Sequence, residues 1–355
     1  MRILITGGCG FVGSNLSILF KKHYNNCEIY CFDNLSRRGS EINLTKILEY
    51  GIKFIHGDVR IKSDFDKIPK VDFVIDAAAE PSVLAGFNNG ELENLIDTNL
   101  NGTINTLIFC KKNNSALIFL STSRVYPYDL LDKINYEILE NKFLYCRNQT
   151  ISGVTSIGID ENFPLYGVRS MYGATKLSSE YIIKEFSKNF NINSIINRCG
   201  VISGPYQMGK IDQGVIVLWM AKHFYKGKLN YVGYGGNGYQ SRDVLHVNDL
   251  FNLLIQQIKF LNNSFGDIFN VGGGLKNLVS LFELTNLCYK ITGNKIEIGN
   301  VAENRPGDIP IYLTNNSLIN ETTGWLPNIG IEDLLKEIFE WIQNDRVNLN
   351  KILNQ

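Results

Sequence analysis

The chain of 355 residues has no excess of charge of either sign: 35 lysines and arginines face 35 aspartates and glutamates, a formal net charge of +0. A dedicated nucleic-acid binder normally carries a basic surplus and is disfavoured, while a local basic pocket for a small phosphorylated ligand stays open. Long apolar runs are missing. The longest, such as Val215 to Ala221, fall far short of the roughly 20 residues that span a bilayer. Met1 and Arg2 lead straight into Ile3-Leu4-Ile5-Thr6, without the apolar stretch and cleavage site of a secretory leader. A cytoplasmic protein with no membrane partner is expected. Paired cysteine spacing is absent as well. The seven cysteines (Cys9, Cys27, Cys31, Cys110, Cys146, Cys199 and Cys288) are scattered with no C-x-x-C. Reduced, mostly buried thiols are expected, and no metal site. Proline is scarce, with 8 residues against 32 glycines, which points to tight turns and close backbone approaches, not to a proline-rich linker.

What is present is apolar material for a core, 44% of the residues, too much for a disordered chain. At about 150 residues per domain the length suggests two domains, or one large α/β domain with an appendage. Short buried strands are read at residues 2–6, 28–32, 54–56, 73–75 and 117–120, and helices near 11–24, 40–50, 91–112 and 170–190. This alternation predicts an α/β fold with a parallel sheet covered by helices on both faces. Residues 128–170 break the rhythm. They are polar and aromatic, and read as an irregular excursion with room for a small hairpin, of the kind that often forms binding loops. Beyond residue 200 the glycines thicken and the rhythm weakens, which suggests a second, smaller lobe. The expected division is 1–195, including the excursion, and 196–355, with the option of a segment returning to the sheet.

Thr6-Gly7-Gly8-Cys9-Gly10-Phe11-Val12-Gly13 follows the first strand and opens the first helix. The spacing is G-x-x-G-x-x-G. Gly7 permits the turn, Gly10 lets the backbone approach a pyrophosphate at the positive helix end, and Gly13 lets helix and strand pack closely. Asp33 ends the second strand, about 20 residues on, where a carboxylate binds both ribose hydroxyls of an adenosine and repels a 2′-phosphate. NAD is therefore favoured over NADP, although Arg37 and Arg38 lie just beyond and soften that preference. Asp58, after the third strand, suits an adenine amino group. Ala77, Ala78 and Ala79, after the fourth, offer small side chains beside a cofactor.

Tyr172 and Lys176 form Y-x-x-x-K, which puts both on one helix face. A lysine ammonium there can hold the nicotinamide ribose and lower the tyrosine pKa. A phenolate near neutral pH can take the proton of a sugar hydroxyl as hydride leaves. At the end of the fifth strand lies Ser121-Thr122-Ser123-Arg124-Val125-Tyr126, where Thr122, or Ser123 in second place, can hold the same substrate oxygen.

Together with Arg242-Asp243-Val244-Leu245-His246-Val247 and Arg305-Pro306-Gly307-Asp308, these motifs resemble the extended short-chain dehydrogenase/reductase family, whose members modify nucleotide sugars. The resemblance runs from end to end of the chain. It implies a Rossmann-type doubly wound parallel sheet with a smaller C-terminal substrate-binding domain, NAD as cofactor, and a nucleotide-sugar substrate. Catalysis falls to Thr122, Tyr172 and Lys176. The cofactor set adds Phe11, Val12, Asn34, Ser36, Val59 and Asn99 to the residues above. The substrate set is Glu80, Ser82, Ser123, Arg124, Gln213, Arg242, Arg305 and Asp308, in which the two later arginines meet the pyrophosphate. Self-association as a homodimer or homotetramer, often through the two long helices, is also implied.

More local strings narrow the branch: 32–39, His56-Gly57-Asp58-Val59-Arg60, Asp212-Gln213-Gly214 and 236–246 look like the CDP-paratose (CDP-tyvelose) 2-epimerases. Such a sugar lacks a 3-hydroxyl, so no ketone at C3 can acidify the C2 hydrogen, and the workable route is transient oxidation at C2. A 4,6-dehydratase of the family carries Asp-Glu after the threonine, and here that pair is Ser123-Arg124. A 4-epimerase stays open because it uses the same Thr, Tyr and Lys, although its usual Asn after the sixth strand is missing from Asn197-Arg198-Cys199-Gly200-Val201. Cys199 lines a pocket or is a buried thiol. Pro127 in place of Gly, and Glu80-Pro81-Ser82 beside the cofactor, depart from the pattern and leave the sugar open. A reductase, or a dinucleotide sensor that turns nothing over, are the remaining alternatives, and a sensor has no need of the catalytic set.

Overall fold

A computed structural model describes residues 1–83, 85, 92–209 and 213–354. The chain divides into two compact units: Met1–Val125, Ser170–Cys199 and Leu250–Phe269 form the first, and Tyr126–Arg169, Gly200–Asp249 and Asn270–Gln355 the second.

The first unit is a seven-stranded sheet. Its strands, numbered along the chain, are β1 (Arg2–Thr6), β2 (Glu28–Asp33), β3 (Lys53–His56), β4 (Phe73–Asp76), β5 (Ala116–Thr122), β6 (Ser194–Cys199) and β7 (Phe265–Val271). The spatial order is β7-β6-β5-β4-β1-β2-β3, and β3, β2, β1, β4, β5 and β6 pair in parallel. β4, β5 and β6 are buried along their whole length; for β4 and β5 this is why they read in sequence as short apolar runs without alternation, whereas β6, with Ser194, Asn197 and Arg198 among its six residues, has no such signature and is not among the expected strands. The order reverses between β1 and β4, and the loops leaving the carboxyl ends of these strands carry the glycine turn and Ala77–Ala79. The expected strands and helices are found, with ends shifted by a residue or two.

Helices α1 (Phe11–His23) and α2 (Ser40–Glu49) follow β1 and β2. After β4 the chain forms α3 (Leu92–Ile96), a π turn at Asp97–Asn101 and α4 (Gly102–Asn113), in unbroken helical conformation at Ile96 and Asn101. Residue 91, the expected start of this stretch, lies outside the described residues. Helix α5 (Met171–Phe190) packs on the same side as α4, with Ser179 Oγ donating to Asn99 O at 3.0 Å.

The second unit departs from expectation. The excursion, assigned in sequence to the first domain, belongs to the second unit, and the two units are of nearly equal length. The physical reason is that its partners lie far along the chain. It forms a hairpin, Tyr136–Leu139 with Lys142–Tyr145, whose tip residues Glu140 and Asn141 both adopt positive φ (48° and 66°), the turn that matches strand twist. Phe143 N then donates to Tyr239 O (3.0 Å) and Tyr145 Oη to Ile311 O (3.2 Å). A second small hairpin bonds Ile159 N to Leu313 O at 2.8 Å. Leu250–Phe269 belongs to the first unit. The second unit also holds a four-stranded sheet centred on Ser241–His246, a two-stranded pair of Leu229–Val232 with Ile298–Val301, and helices that include Val215–Phe224, Leu281–Thr292 and Ile331–Asn344. Six of the seven cysteines are buried, and all are free thiols. Among the described residues no helix is long and apolar enough to cross a membrane.

Candidate active site

The glycine turn is shaped by contacts that admit no side chain. Gly7 has φ +61°, and a Cβ on Gly13 would overlap the Gly7 carbonyl oxygen and lie 2.8 Å from Gly8 Cα. Gly10 caps α1 with no side-chain hydrogen bond, and the first turn of α1 holds no acidic residue. The amides of Phe11 and Val12, in the first turn of α1, have no carbonyl partner within the helix, an arrangement suited to an anion. Asp33 stands beside it. Its Oδ2 accepts from Cys9 N (2.9 Å) and its Oδ1 from Leu35 N (2.8 Å). Each oxygen keeps further acceptor capacity for hydroxyls. Burial raises the Asp33 pKa, while the backbone donors Leu35, Cys9 and Gly10 oppose the shift. Asn34 Nδ2 reaches Asp58 (2.8 Å), and Ser36 N closes a turn onto Asn34 Oδ1 (3.0 Å). Asp58 is held against Arg60, with Nε at 2.9 Å and a terminal nitrogen at 2.6 Å. Burial pushes its pKa up, but the Arg60 and Asn34 hydrogen bonds outweigh that and leave it at about 2. Arg37 is half-buried and Arg38 exposed.

Thr6 Oγ1 fixes the loop after β4, accepting from Ala77 N and Ala78 N at 3.2 Å each. The π turn aims Asn99 at the same loop: its Oδ1 accepts from Glu80 N (2.8 Å), and its Nδ2 donates to Glu80 O (3.0 Å) and Thr175 Oγ1 (3.3 Å). Expected at the cofactor, the Asn99 amide thus clamps the backbone that flanks it. Glu80 Oε1 accepts from Ser82 N (3.2 Å), and the buried Ser82 hydroxyl from Ala85 N (3.2 Å).

The residues expected to be catalytic lie at the end of β5 and the start of α5. Ser170 caps α5, its Oγ accepting from Gly173 N at 3.1 Å, which places Tyr172 in the first turn and Lys176 one turn on. Gly173 has to be glycine because a Cβ would run into the Arg124 carbonyl. That close approach brings Tyr172 against Thr122, whose hydroxyl hydrogen-bonds the phenol. Burial pushes the Tyr172 pKa up to about 12; Thr122 and Arg124 draw it down, and Cys199 and Glu80 push it up. Lys176 is fully buried, with its Nζ 4.0 Å from the Phe119 ring centroid. Burial lowers its pKa to about 8 against the opposing fields of Asp76, Cys199 and Glu180. Ser123 and Arg124 sit half-buried in a short 3-10 turn directly after Thr122.

In the second unit, Arg242 directs its guanidinium to Ser241 O (2.8 Å), Ile309 O (2.6 Å) and Asp308 Oδ1 (3.1 Å). Asp308 N closes a turn onto Arg305 O (3.2 Å), so Arg242, Arg305 and Asp308 share one loop base. Gln213 is half-buried, and its Nε2 has no hydrogen-bond partner among the described residues. Asp212 lies outside them.

Against known proteins, the model of the NAD dependent epimerase/dehydratase family matches residues 3–272. The chain belongs to that family. It is 28% identical over 349 residues to a CDP-paratose 2-epimerase of Salmonella typhi, covering 96% of this chain and 99% of that one. It is also 28% identical over 347 residues to a putative UDP-glucose 4-epimerase of Methanocaldococcus jannaschii, covering 97% and 99%. Among solved structures, a UDP-glucuronic acid 4-epimerase from Bacillus cereus, in complex with UDP-glucuronic acid and NAD, superposes with a TM-score of 0.79 at 22% identity, over 97% of this chain and 99% of that one. A dTDP-glucose 4,6-dehydratase double mutant from Streptomyces venezuelae with NAD bound reaches 0.80 at 23% identity, over 99% and 100%.

Membership in the NAD-dependent epimerase/dehydratase family makes NAD the cofactor, and the residues fit it. The turn that excludes a Cβ at Gly13 leaves helix donors for a pyrophosphate, and Asp33 offers a carboxylate to ribose. Gly13→Ala should therefore abolish measurable NAD binding in a fluorescence titration, because the overlap is with backbone and cannot be relieved by a rotamer change. Asp76, Glu180 and Thr103 are among the buried polar residues that the sequence alone does not single out. Glu180 binds Arg198 (2.7 Å) and Ser121 Oγ (2.5 Å) beneath the catalytic residues. An acidic residue closing the apolar run Phe73-Val74-Ile75-Asp76 was the available signal.

Proposed function

We propose that this chain is a nucleotide-sugar 2-epimerase acting on CDP-paratose and CDP-tyvelose. The observation that carries the reading is the contact of Thr122 with Tyr172, one helical turn before the buried Lys176, together with Ser123-Arg124 where a dehydrating member needs an acid pair. NAD, when bound, supplies the hydride acceptor and, once reduced, the donor. Tyr172 takes the proton of the 2-hydroxyl, Thr122 holds the same oxygen, and Lys176 favours the phenolate by its charge. The resulting 2-keto sugar turns to present its other face, and Tyr172 returns the proton. Arg242 and Arg305 keep the diphosphate anchored through that turn, with Asp308 ordering Arg242 and Gln213 offering its free amide. Glu80, Ser82, Ser123 and Arg124 are the side chains offered to the sugar. The same Thr, Tyr and Lys serve a 4-epimerase, the second reading, favoured by the Methanocaldococcus relative. The active form we propose is a homodimer or homotetramer.

Arg242→Lys should raise KM for the nucleotide sugar by about tenfold or more with kcat little changed. A lysine keeps the charge but loses the planar fork that binds phosphate and Asp308 together. Steady-state kinetics read this directly. The reading as a whole is tested by proton NMR of the protein with CDP-paratose or CDP-tyvelose in deuterated water. Interconversion without deuterium at C2 supports internal hydride transfer. Deuterium at C2 sinks that mechanism in favour of proton exchange. No turnover with NAD bound moves the assignment to another nucleotide sugar.

A further inference from the structure

Register across the sheet of the first unit sets Phe32, Thr6, Asp76, Phe119 and Ile196 side by side on β2, β1, β4, β5 and β6. Residues in register project from one face. That face is packed, since Phe32, Phe119 and Ile196 share a core with Leu107 and Cys110 of α4 and Ile183 of α5. Asp76 is the charged member of this row, and it is 2% exposed. A carboxylate in such a place requires hydrogen bonds and a counter-charge. Thr6 Oγ1 donates to it at 2.5 Å and Thr103 Oγ1, from α4, at 3.2 Å. The Nζ of Lys176, equally buried, lies 4.0 Å from the ring centroid of Phe119, the cross-strand neighbour of Asp76.

We infer that Asp76 is a positioning residue for Lys176, the buried counter-charge that keeps the ammonium protonated and in place over Phe119. The inference rests on the proposed role of Lys176 beside the cofactor ribose and Tyr172. Three groups act on Lys176: Asp76 from β4, Cys199 from β6, and Glu180 one turn on along α5. Glu180 is already paired with Arg198. Cys199 is a neutral thiol, pushed up to about 12 by burial, and Tyr172 stays neutral for the same reason. Cys110 from α4 also faces Asp76, and burial raises its pKa. Asp76 is left as the anion available to Lys176. Burial raises the Asp76 pKa, and Lys176 leads the groups that oppose this; in turn Asp76 leads those that oppose the lowering of Lys176. Through Thr6, which also holds Ala77 N and Ala78 N, the pair is tied to the loop flanking the cofactor.

The test is NAD titration of the full chain from pH 6 to 9, without sugar, so an error about the sugar leaves it intact. Wild-type affinity is expected to fall as the pH passes about 8. Asp76→Asn keeps the size and a hydrogen-bonding oxygen but removes the charge, and should move that midpoint down by about one pH unit or more. An unmoved midpoint, or none in the wild type, overturns the inference. Should Asp76→Asn fail to fold, the double variant Asp76→Asn with Lys176→Met decides. Removing both charges should restore folding, and a double variant that fails as well overturns the pairing.

Discussion

Tyr172→Phe should lower kcat for sugar epimerisation by about 10²- to 10⁴-fold while NAD affinity stays within a few-fold of wild type. The range is that of a lost general acid–base group. The split between the two readouts follows from the structure. The phenol oxygen meets Thr122, whereas the residues we propose to cradle the dinucleotide are the glycine turn, Asp33 and the Thr6-fixed loop after β4. With a phenol raised to about 12 by burial, the protein alone holds Tyr172 as the acid. Formation of the base therefore depends on positive charge nearby: Arg124 draws the Tyr172 pKa down, and the oxidised nicotinamide and Lys176 are the further cations we propose for it. Thr122→Val should reduce kcat less, because the hydroxyl orients the oxygen and exchanges no proton. Equal losses in both variants would mean that orientation, and not proton transfer, is the main contribution of Tyr172. Single-turnover measurement with NAD-loaded protein separates these outcomes, since product release is then removed from the rate.

What could be read in advance was what is local. β4 and β5 are buried on both faces and so appear as apolar runs, while β6, equally buried but half polar, does not; α5 carries Tyr172 and Lys176 at a spacing visible without a structure. The excursion was not assignable, because its hairpin is fixed by Ser241, Tyr239 and Ile311, about a hundred residues or more away along the chain. Helix α3 to α4 was visible as one apolar-faced stretch, but not the π turn within it. Such a turn is set by tertiary contacts, here the Asn99 clamp on Glu80, and π turns are frequent at functional sites. Asp76, Glu180 and Arg198 illustrate the limit most sharply. In sequence a charged residue reads as solvent-facing, and only the sheet register and the helix packed above it show that these are enclosed. In the sequence Arg198 is only part of a run, Asn197-Arg198-Cys199-Gly200-Val201, that departs from a 4-epimerase pattern. The sugar itself is not legible, since the side chains proposed to touch it, Glu80, Ser82, Ser123 and Arg124, are polar or charged groups whose chemistry suits many hydroxyls.

Arg198→Met should be the most damaging single change to the stability of the first unit, at about 3–5 kcal/mol. Arg198 and Glu180 have side chains 3% and 2% exposed, joined at 2.7 Å, with Arg198 Nε also 3.2 and 3.1 Å from the two carboxylate oxygens. Ser121 Oγ adds a third donor at 2.5 Å. Removing the guanidinium strands an anion that Ser121 alone cannot compensate. The pair's net worth is much smaller than that loss, because both charges were desolvated to make it. Glu180→Gln combined with Arg198→Met should therefore recover a large part of what Arg198→Met loses, a coupling that independent sites would not show. A chain of two units need not melt in one transition. The measurement is hydrogen exchange of the β5 and β6 amides, which reports the opening of this sheet by itself. Arg198 pairs in register with Ser121, and the next pair is Cys199 with Thr122. Loosening the ion pair therefore frees the strand end that holds Thr122 against Tyr172. The double variant should regain protection in β5 and β6 and with it most of the activity. Restored protection without restored activity would instead show that the Glu180 charge acts on Lys176 directly.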